Sequence, residues 1–277
     1  AKTQRSQYEF TGISQQAATS QGNTIYTIYL NISVGPNVGS IQLPTIFPEA
    51  QILQDSFRSD PPGRIDSYNL TTDEYGTVRF SPLLLGDTNE NVLVSYNVTY
   101  TEQDQEYVAD NAVEGNAAPA DIYSMYADLS LVGELTPRVQ NEIDQFRDVG
   151  DNAYQKARAV EVYFRDTYEL IIDEERVNER PPDGREVTDW FIERGGGLPR
   201  DFATAYCVFM RDLGIPARTA MGYALGDAQD GYRIVRVRHM LFYAEVFIPL
   251  QGGGGEWIQV IPISLPDNMG GGELPAN

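Results

Sequence analysis

Over residues 8 to about 104, apolar and polar positions alternate in short runs separated by turn residues. Ile25 to Ile32 (IYTIYLNI) is dense in β-branched and aromatic side chains, the composition of a strand. Gly35-Pro36-Asn37 then makes a turn. Ile41 to Leu43, Thr77 to Phe80 and Val92 to Tyr100 supply further strands. In the last, Val92, Val94, Tyr96 and Val98 alternate with Leu93, Ser95, Asn97 and Thr99, which suits an antiparallel strand with one wetter face. Short strands with turns between them predict an antiparallel β-sandwich over residues 1–104. Residues 105–120 (QEYVADNAVEGNAAPA) are acidic, alanine-rich and weakly apolar, and read as a linker.

From 121 to 277 the pattern is mixed α/β. Thr136-Pro137 opens a helix, with Thr as cap and Pro at the first helical position. Val139, Ile143 and Phe146 follow at helical spacing. A second helix starts near Asp151, with Ala153, Ala157, Val160, Val162 and Phe164 as packing positions. Val187 to Ile192 forms a short helix, Gly195-Gly196-Gly197 interrupts the chain, and a longer helix runs from Pro199 to Leu213, ended by Gly214. Strands follow over 218–223, 232–238, 241–248 and 256–261, the last two joined by the glycine run 252–255. The tail from Pro262 is Gly- and Pro-rich and reads as extended.

Composition narrows the function. There are 40 acids against 20 bases, a net charge of −20, which argues against a nucleic-acid partner. One Cys excludes an intrachain disulfide framework, and one His makes a His-based metal cluster unfavourable; no cofactor is expected. No run approaches the ~20 apolar residues of a membrane span, so no transmembrane segment is expected in this chain. The absence of a signal peptide at Ala1 is compatible with a mature or excised ectodomain. Three sequons, beginning at Asn31, Asn69 and Asn97, are candidate N-glycosylation sites and point to an extracellular or cell-surface location.

The second half resembles the transglutaminase-like family of the papain-like cysteine superfamily, seen in microbial and archaeal surface proteins. The resemblance spans roughly residues 120–263. Gly197-Leu198-Pro199-Arg200-Asp201-Phe202-Ala203 is similar to the G-x-C-x-x-F-A helix start. Leu213-Gly214-Ile215-Pro216-Ala217-Arg218 matches L-G-I-P-A-R. Leu241-Phe242-Tyr243-Ala244-Glu245-Val246 resembles H-A-W-x-E-V, and Trp257 to Pro262 resembles W-x-x-x-D-P. The implied fold class is α+β: an N-terminal β-sandwich followed by a transglutaminase-like α/β domain. Only Lys2 and Lys156 are lysines. Strong acidity with almost no lysine fits a salt-adapted archaeal source as well as an ordinary acidic surface encoded by a high-GC genome.

In such a family a Cys at the helix start attacks an acyl group, helped by a His and an Asp on the following strands. Here those positions are Pro199, Leu241 and Ile261. Proline supplies neither a nucleophile nor a backbone N–H for an oxyanion. The expectation is therefore a pseudoenzyme: a non-catalytic structural or protein-interaction module whose partner is another protein or a copy of itself. Two alternatives stand beside it. One is an enzyme with a relocated site using Cys207, His239 or the carboxylates Asp201 and Glu245. The other is a glycan- or peptide-binding module that keeps an open groove over Pro199, Leu241 and Ile261.

Overall fold

The computed structural model describes residues 8–15, 23–34, 40–45, 50–60, 62, 65–72, 78–84, 90–101, 104–171, 179–223, 227–229, 232–234 and 240–264. They divide into two compact units: the described residues up to 101 together with those from 223 to 240, and the described residues of 104–222 and 241–264.

The first unit contains β1 (Tyr8–Gln15), β2 (Asn23–Val34), β3 (Ile41–Gln42), β4 (Gln51–Asp60), β5 (Ile65–Thr72), β6 (Val78–Leu84) and β7 (Glu90–Thr101). Two later strands, β11 (Asp227–Gln229) and β12 (Tyr232–Ile234), also belong to it. They form a six-stranded sheet, β11-β12-β1-β2-β7-β4, and a three-stranded sheet, β3-β6-β5, every pair antiparallel. The alternation read in β7 is the alternation of its burial. Val92, Val94, Tyr96 and Val98 are buried, and they join Ile28, Leu30 and Ile32 of β2 and Ile41 and Phe80 of the smaller sheet in one cluster. Two sheets sharing one apolar layer make the expected sandwich. Phe57 of β4 stacks between Phe80 and Tyr96, with ring centroids 5.4 and 5.0 Å away. The Tyr96 hydroxyl donates to the Pro44 carbonyl at 2.8 Å, so this buried phenol has a partner.

The second unit contains α1 (Gln105–Asn111), a 3-10 turn (Gly115–Ala117), α2 (Ala120–Tyr126), α3 (Pro137–Asp144), α4 (Ala153–Thr167), β8 (Glu169–Leu170), α5 (Val187–Arg194), β9 (Gly196–Gly197), α6 (Pro199–Asp212), β10 (Ala217–Tyr223), β13 (Met240–Pro249) and β14 (Gly255–Val260). Helices α4 and α5 pack against α6, whose Phe202, Ala205, Tyr206 and Phe209 are buried. The three-stranded sheet β10-β13-β14 contributes Ala217, Ala244, Val246, Ile248, Ile258 and Val260 to the same core. Phe164 of α4 lies at its centre, within 6.5 Å of the rings of Phe191, Phe202, Tyr206 and Phe209.

Local signals explain most element ends. The Thr136 hydroxyl accepts from the Val139 amide, and Pro137 follows at the first helical position, as expected. The Asn152 side chain accepts from the Gln155 amide and starts α4. Gly195 closes α5 in the left-handed conformation, φ 76°.

Three expectations need correction. Residues 105–120, expected to be a linker, hold α1, a 3-10 turn and the first residue of α2. Asp104 caps α1 by accepting from the Tyr107 amide, and Val108 and Ala112 enter the core of the second unit. Val162 of α4 points outward and is 45% exposed, because 153, 157, 160 and 164 define one helical face and 162 lies off it. Lys156 is buried there instead, its ammonium 3.1 Å from Glu114. Finally, residues 121–277 are not one continuous domain, because β11 and β12 extend the sandwich sheet through a pairing of Ile13 with Arg233. The remainder of the strand expected at 232–238, and the tail beyond 264, lie outside the described residues.

Candidate functional site

The start of α6 is shaped by two residues. Gly197 sits so close beneath the helix that an added Cβ would lie 2.8 Å from the Asp201 side chain. Leu198 is the cap residue and has no side-chain acceptor, so the Asp201 carboxylate reaches back to take the Leu198 amide at 2.9 Å. Pro199 then occupies the first helical position, where a missing N–H costs nothing.

The other two positions that the resemblance singled out are apolar, one buried and one half-buried. Leu241 on β13 is 4% exposed within the core cluster, and Ile261, one residue beyond β14, packs against the same cluster. Nothing in these three side chains can donate, accept or transfer a proton.

The relocated candidates fare differently from one another. Cys207 lies two turns along α6 from Pro199, about 12 Å further down the axis. It is 5% exposed and accepts a long hydrogen bond from the Thr219 hydroxyl at 3.6 Å. Burial pushes its thiol up to about 11, against the smaller lowering from Thr219 and Arg211. A neutral buried thiol is a poor nucleophile. His239 lies outside the described residues. Asp201 is engaged at the helix start, and its second oxygen is 3.4 Å from the Arg200 guanidinium.

Glu245 is 5% exposed and accepts from Arg218 Nε at 2.6 Å and from the Tyr243 hydroxyl at 3.4 Å. The Arg218 guanidinium lies 4.2 Å over the Trp257 ring and 5.4 Å from that of Tyr126, and also donates to the Tyr126 hydroxyl. Burial opposes the charge on Arg218, but Glu245 outweighs it and holds the guanidinium above its ordinary value. Burial first, then Glu245, holds the Tyr243 hydroxyl far above the ordinary phenol range. The Arg of the L-G-I-P-A-R segment and the Glu of the following strand therefore form a buried structural ion pair.

Beside the helix start is a cleft of about 420 Å³, bounded by Trp190 of α5, Arg200 and Thr204 of α6, Thr219 of β10 and Phe242 of β13. Sequence reading singled out none of these as a cleft. Asp201, a candidate from the sequence, also lines it, and the Thr204 hydroxyl donates to the Arg200 carbonyl at 2.8 Å. Pro199, Leu241 and Ile261 do not line this cleft. Among the described residues, no group of three or more His, Cys, Asp or Glu is placed to hold a metal ion, and no helix is long and apolar enough to cross a membrane.

The candidate glycosylation sites separate by position. Asn69 is exposed on β5, an edge strand. Asn31 of β2 and Asn97 of β7 are half-buried on interior strands, and the Asn97 side-chain oxygen accepts from the Thr27 hydroxyl at 2.9 Å.

Residues 143–262 match the family model of the transglutaminase-like superfamily. Two solved structures of the periplasmic domain of TgpA from Pseudomonas aeruginosa, one of them bound to ethylmercury, share the fold. Their TM-scores are 0.50 and 0.51 at 16% and 15% identity, covering 95% and 97% of this chain and 84% and 89% of theirs. No curated protein matches the chain in sequence.

Proposed function

Taking residues 143–262 as a transglutaminase-like domain, we infer that the chain is a non-catalytic member of that fold, acting outside the cytoplasm or on the cell surface by binding a protein partner or further copies of itself. The observation that carries this reading is a buried aliphatic side chain at Leu241 and a half-buried one at Ile261, with Pro199 at the helix start. The buried, neutral Cys207 weighs against a relocated thiol enzyme. The burial of Leu241 likewise weighs against an open groove over the old site. The exposed sequon at Asn69, and the periplasmic origin of the similar solved domain, support a location outside the cytoplasm.

The test is an activity assay on the intact chain, with an amine donor and a glutamine-bearing acceptor, and separately with casein. No turnover is expected. Turnover abolished by Cys207→Ala would establish a relocated thiol enzyme. Turnover that survives that substitution would place chemistry elsewhere in the chain. Either result defeats the non-catalytic reading.

A further inference from the structure

The outer face of the six-stranded sheet carries a second, separately built site. On β2 and β7 the register pairs Thr27 with Asn97 and Tyr29 with Ser95. Residues two apart on a strand share a face, so these four side chains form one block. The neighbouring strand β4 is irregular just there. Leu53 pairs with Asn97 and Arg58 with Ser95, so Gln54, Asp55, Ser56 and Phe57 all stand opposite Tyr96 alone. Such an excess lifts part of a strand off its sheet and re-aims its side chains. Phe57 turns inward to stack in the core, whereas Asp55 stays exposed. The raised segment and the block bound an open groove of about 640 Å³.

The raised segment is held in place. The Ser56 hydroxyl donates to the Leu53 carbonyl at 2.5 Å and accepts from the Asn97 amide at 2.8 Å. Arg58 donates to the carbonyls of Asp55 and Phe57 at 3.0 and 2.6 Å. The hydroxyl of Thr27, itself buried, fixes the Asn97 side chain by donating to its oxygen at 2.9 Å, which orients the Asn97 amide group. What remains is a set of fixed polar groups. The Asn97 amide nitrogen, the Ser95 hydroxyl and the Asp55 carboxylate have no hydrogen-bond partner among the described residues.

We propose that this groove binds a neutral oligosaccharide. Vicinal sugar hydroxyls both donate and accept, and they pair with planar amide and carboxylate groups held at fixed positions. The Tyr29 ring supplies an apolar surface for the CH face of a pyranose. Asp55 and Arg58 cancel in charge, which favours an uncharged ligand. The groove is open along the sheet, as a chain of sugars requires. The site lies wholly within the sandwich and is independent of the chemistry at α6.

The experiment is isothermal titration calorimetry of the full chain with three hexasaccharides: β-1,4-linked glucose, α-1,4-linked glucose and β-1,4-linked N-acetylglucosamine. At least one should bind with a Kd of about 1 mM or tighter. Asp55→Ala and Asn97→Ala should each weaken that binding about tenfold, the size of one charge-assisted or well-oriented hydrogen bond. Asp55 is exposed, so its variant should keep the wild-type melting temperature and separate lost binding from lost folding. The proposal is overturned if none of the three sugars binds, if Asp55→Ala binds as well as wild type, or if only an anionic oligogalacturonate binds. It is also overturned if mass spectrometry finds a glycan attached to Asn97, since that glycan would fill the groove.

Discussion

Removing one member of the Arg218–Glu245 pair should be among the most damaging single changes in the second unit. In Arg218→Met the Glu245 carboxylate, whose side chain is 6% exposed, loses its 2.6 Å partner and stays in the core. Stranding one buried charge costs about 3–5 kcal/mol. The variant also gives up the stacking of the guanidinium on Trp257 and Tyr126, worth about 0.5–2 kcal/mol. Glu245→Leu should cost less, because the Arg218 side chain is 21% exposed and keeps both aromatic faces. At about 2–4 °C per kcal/mol for a unit of this size, Arg218→Met should lower the melting temperature by about 7–28 °C. The double variant Arg218→Met/Glu245→Leu should recover much of the loss, because apolar replacement of a buried pair is close to neutral. Urea unfolding of all four proteins at pH 7 completes the cycle. An Arg218→Met cost under about 1 kcal/mol, or a double variant no better than the sum of the singles, would refute the reasoning.

Other outcomes follow from the same structure. The Cys207 thiol is raised in the folded state, from 9.0 to about 11, so its contribution is complete below the unfolded value and is lost as pH rises through the folded one. Wild-type stability should therefore fall by about 1.4 kcal/mol per pH unit relative to Cys207→Ala between pH 9 and 11, and parallel urea curves for the two proteins would exclude this. Burial works against the Asp189 carboxylate, but the Thr136 hydroxyl and Arg185 outweigh it and hold its pKa below the ordinary value. Its stabilisation is present above the unfolded pKa and lost as pH falls through the folded one. Asp189→Asn should cost about 1.5–3 kcal/mol at pH 7 and flatten the acid limb of the stability curve, as followed by circular dichroism. Gly196 has φ 151°, and a Cβ there would lie 2.0 Å from the Glu169 carbonyl oxygen, so Gly196→Ala should destabilise by more than about 1 kcal/mol; an unchanged denaturation midpoint would count against the β8–β9 pairing.

How much was legible from sequence varied with the range of the interaction. The buried face of β7 followed from strict alternation, and the starts of α3 and α6 followed from Thr136-Pro137 and from Pro199. These signals are local, carried by side chains within a turn or two of the backbone they shape. Residues 105–120 misled because α1 is only seven residues long and buries a single side chain, Val108, too little for a periodic pattern. Val162 misled because one apolar residue off the stripe does not change the period around it. Neither the groove of the sandwich nor the cleft beside α6 had a sequence signature, since each draws its lining from three or more segments.

By itself the sequence carries the resemblance to the transglutaminase-like superfamily, whose model residues 143–262 match, and it puts proline, leucine and isoleucine at positions 199, 241 and 261. Residue identity is a local property and survives translation into any arrangement. Tertiary structure alone decided that Glu245 is bound to Arg218, 27 residues away in sequence. It alone decided that β12 pairs with β1 and that four residues of β4 rise opposite a single residue of β7. Burial, ion pairing and strand register depend on which distant segments meet, and chain neighbours do not encode that one position at a time.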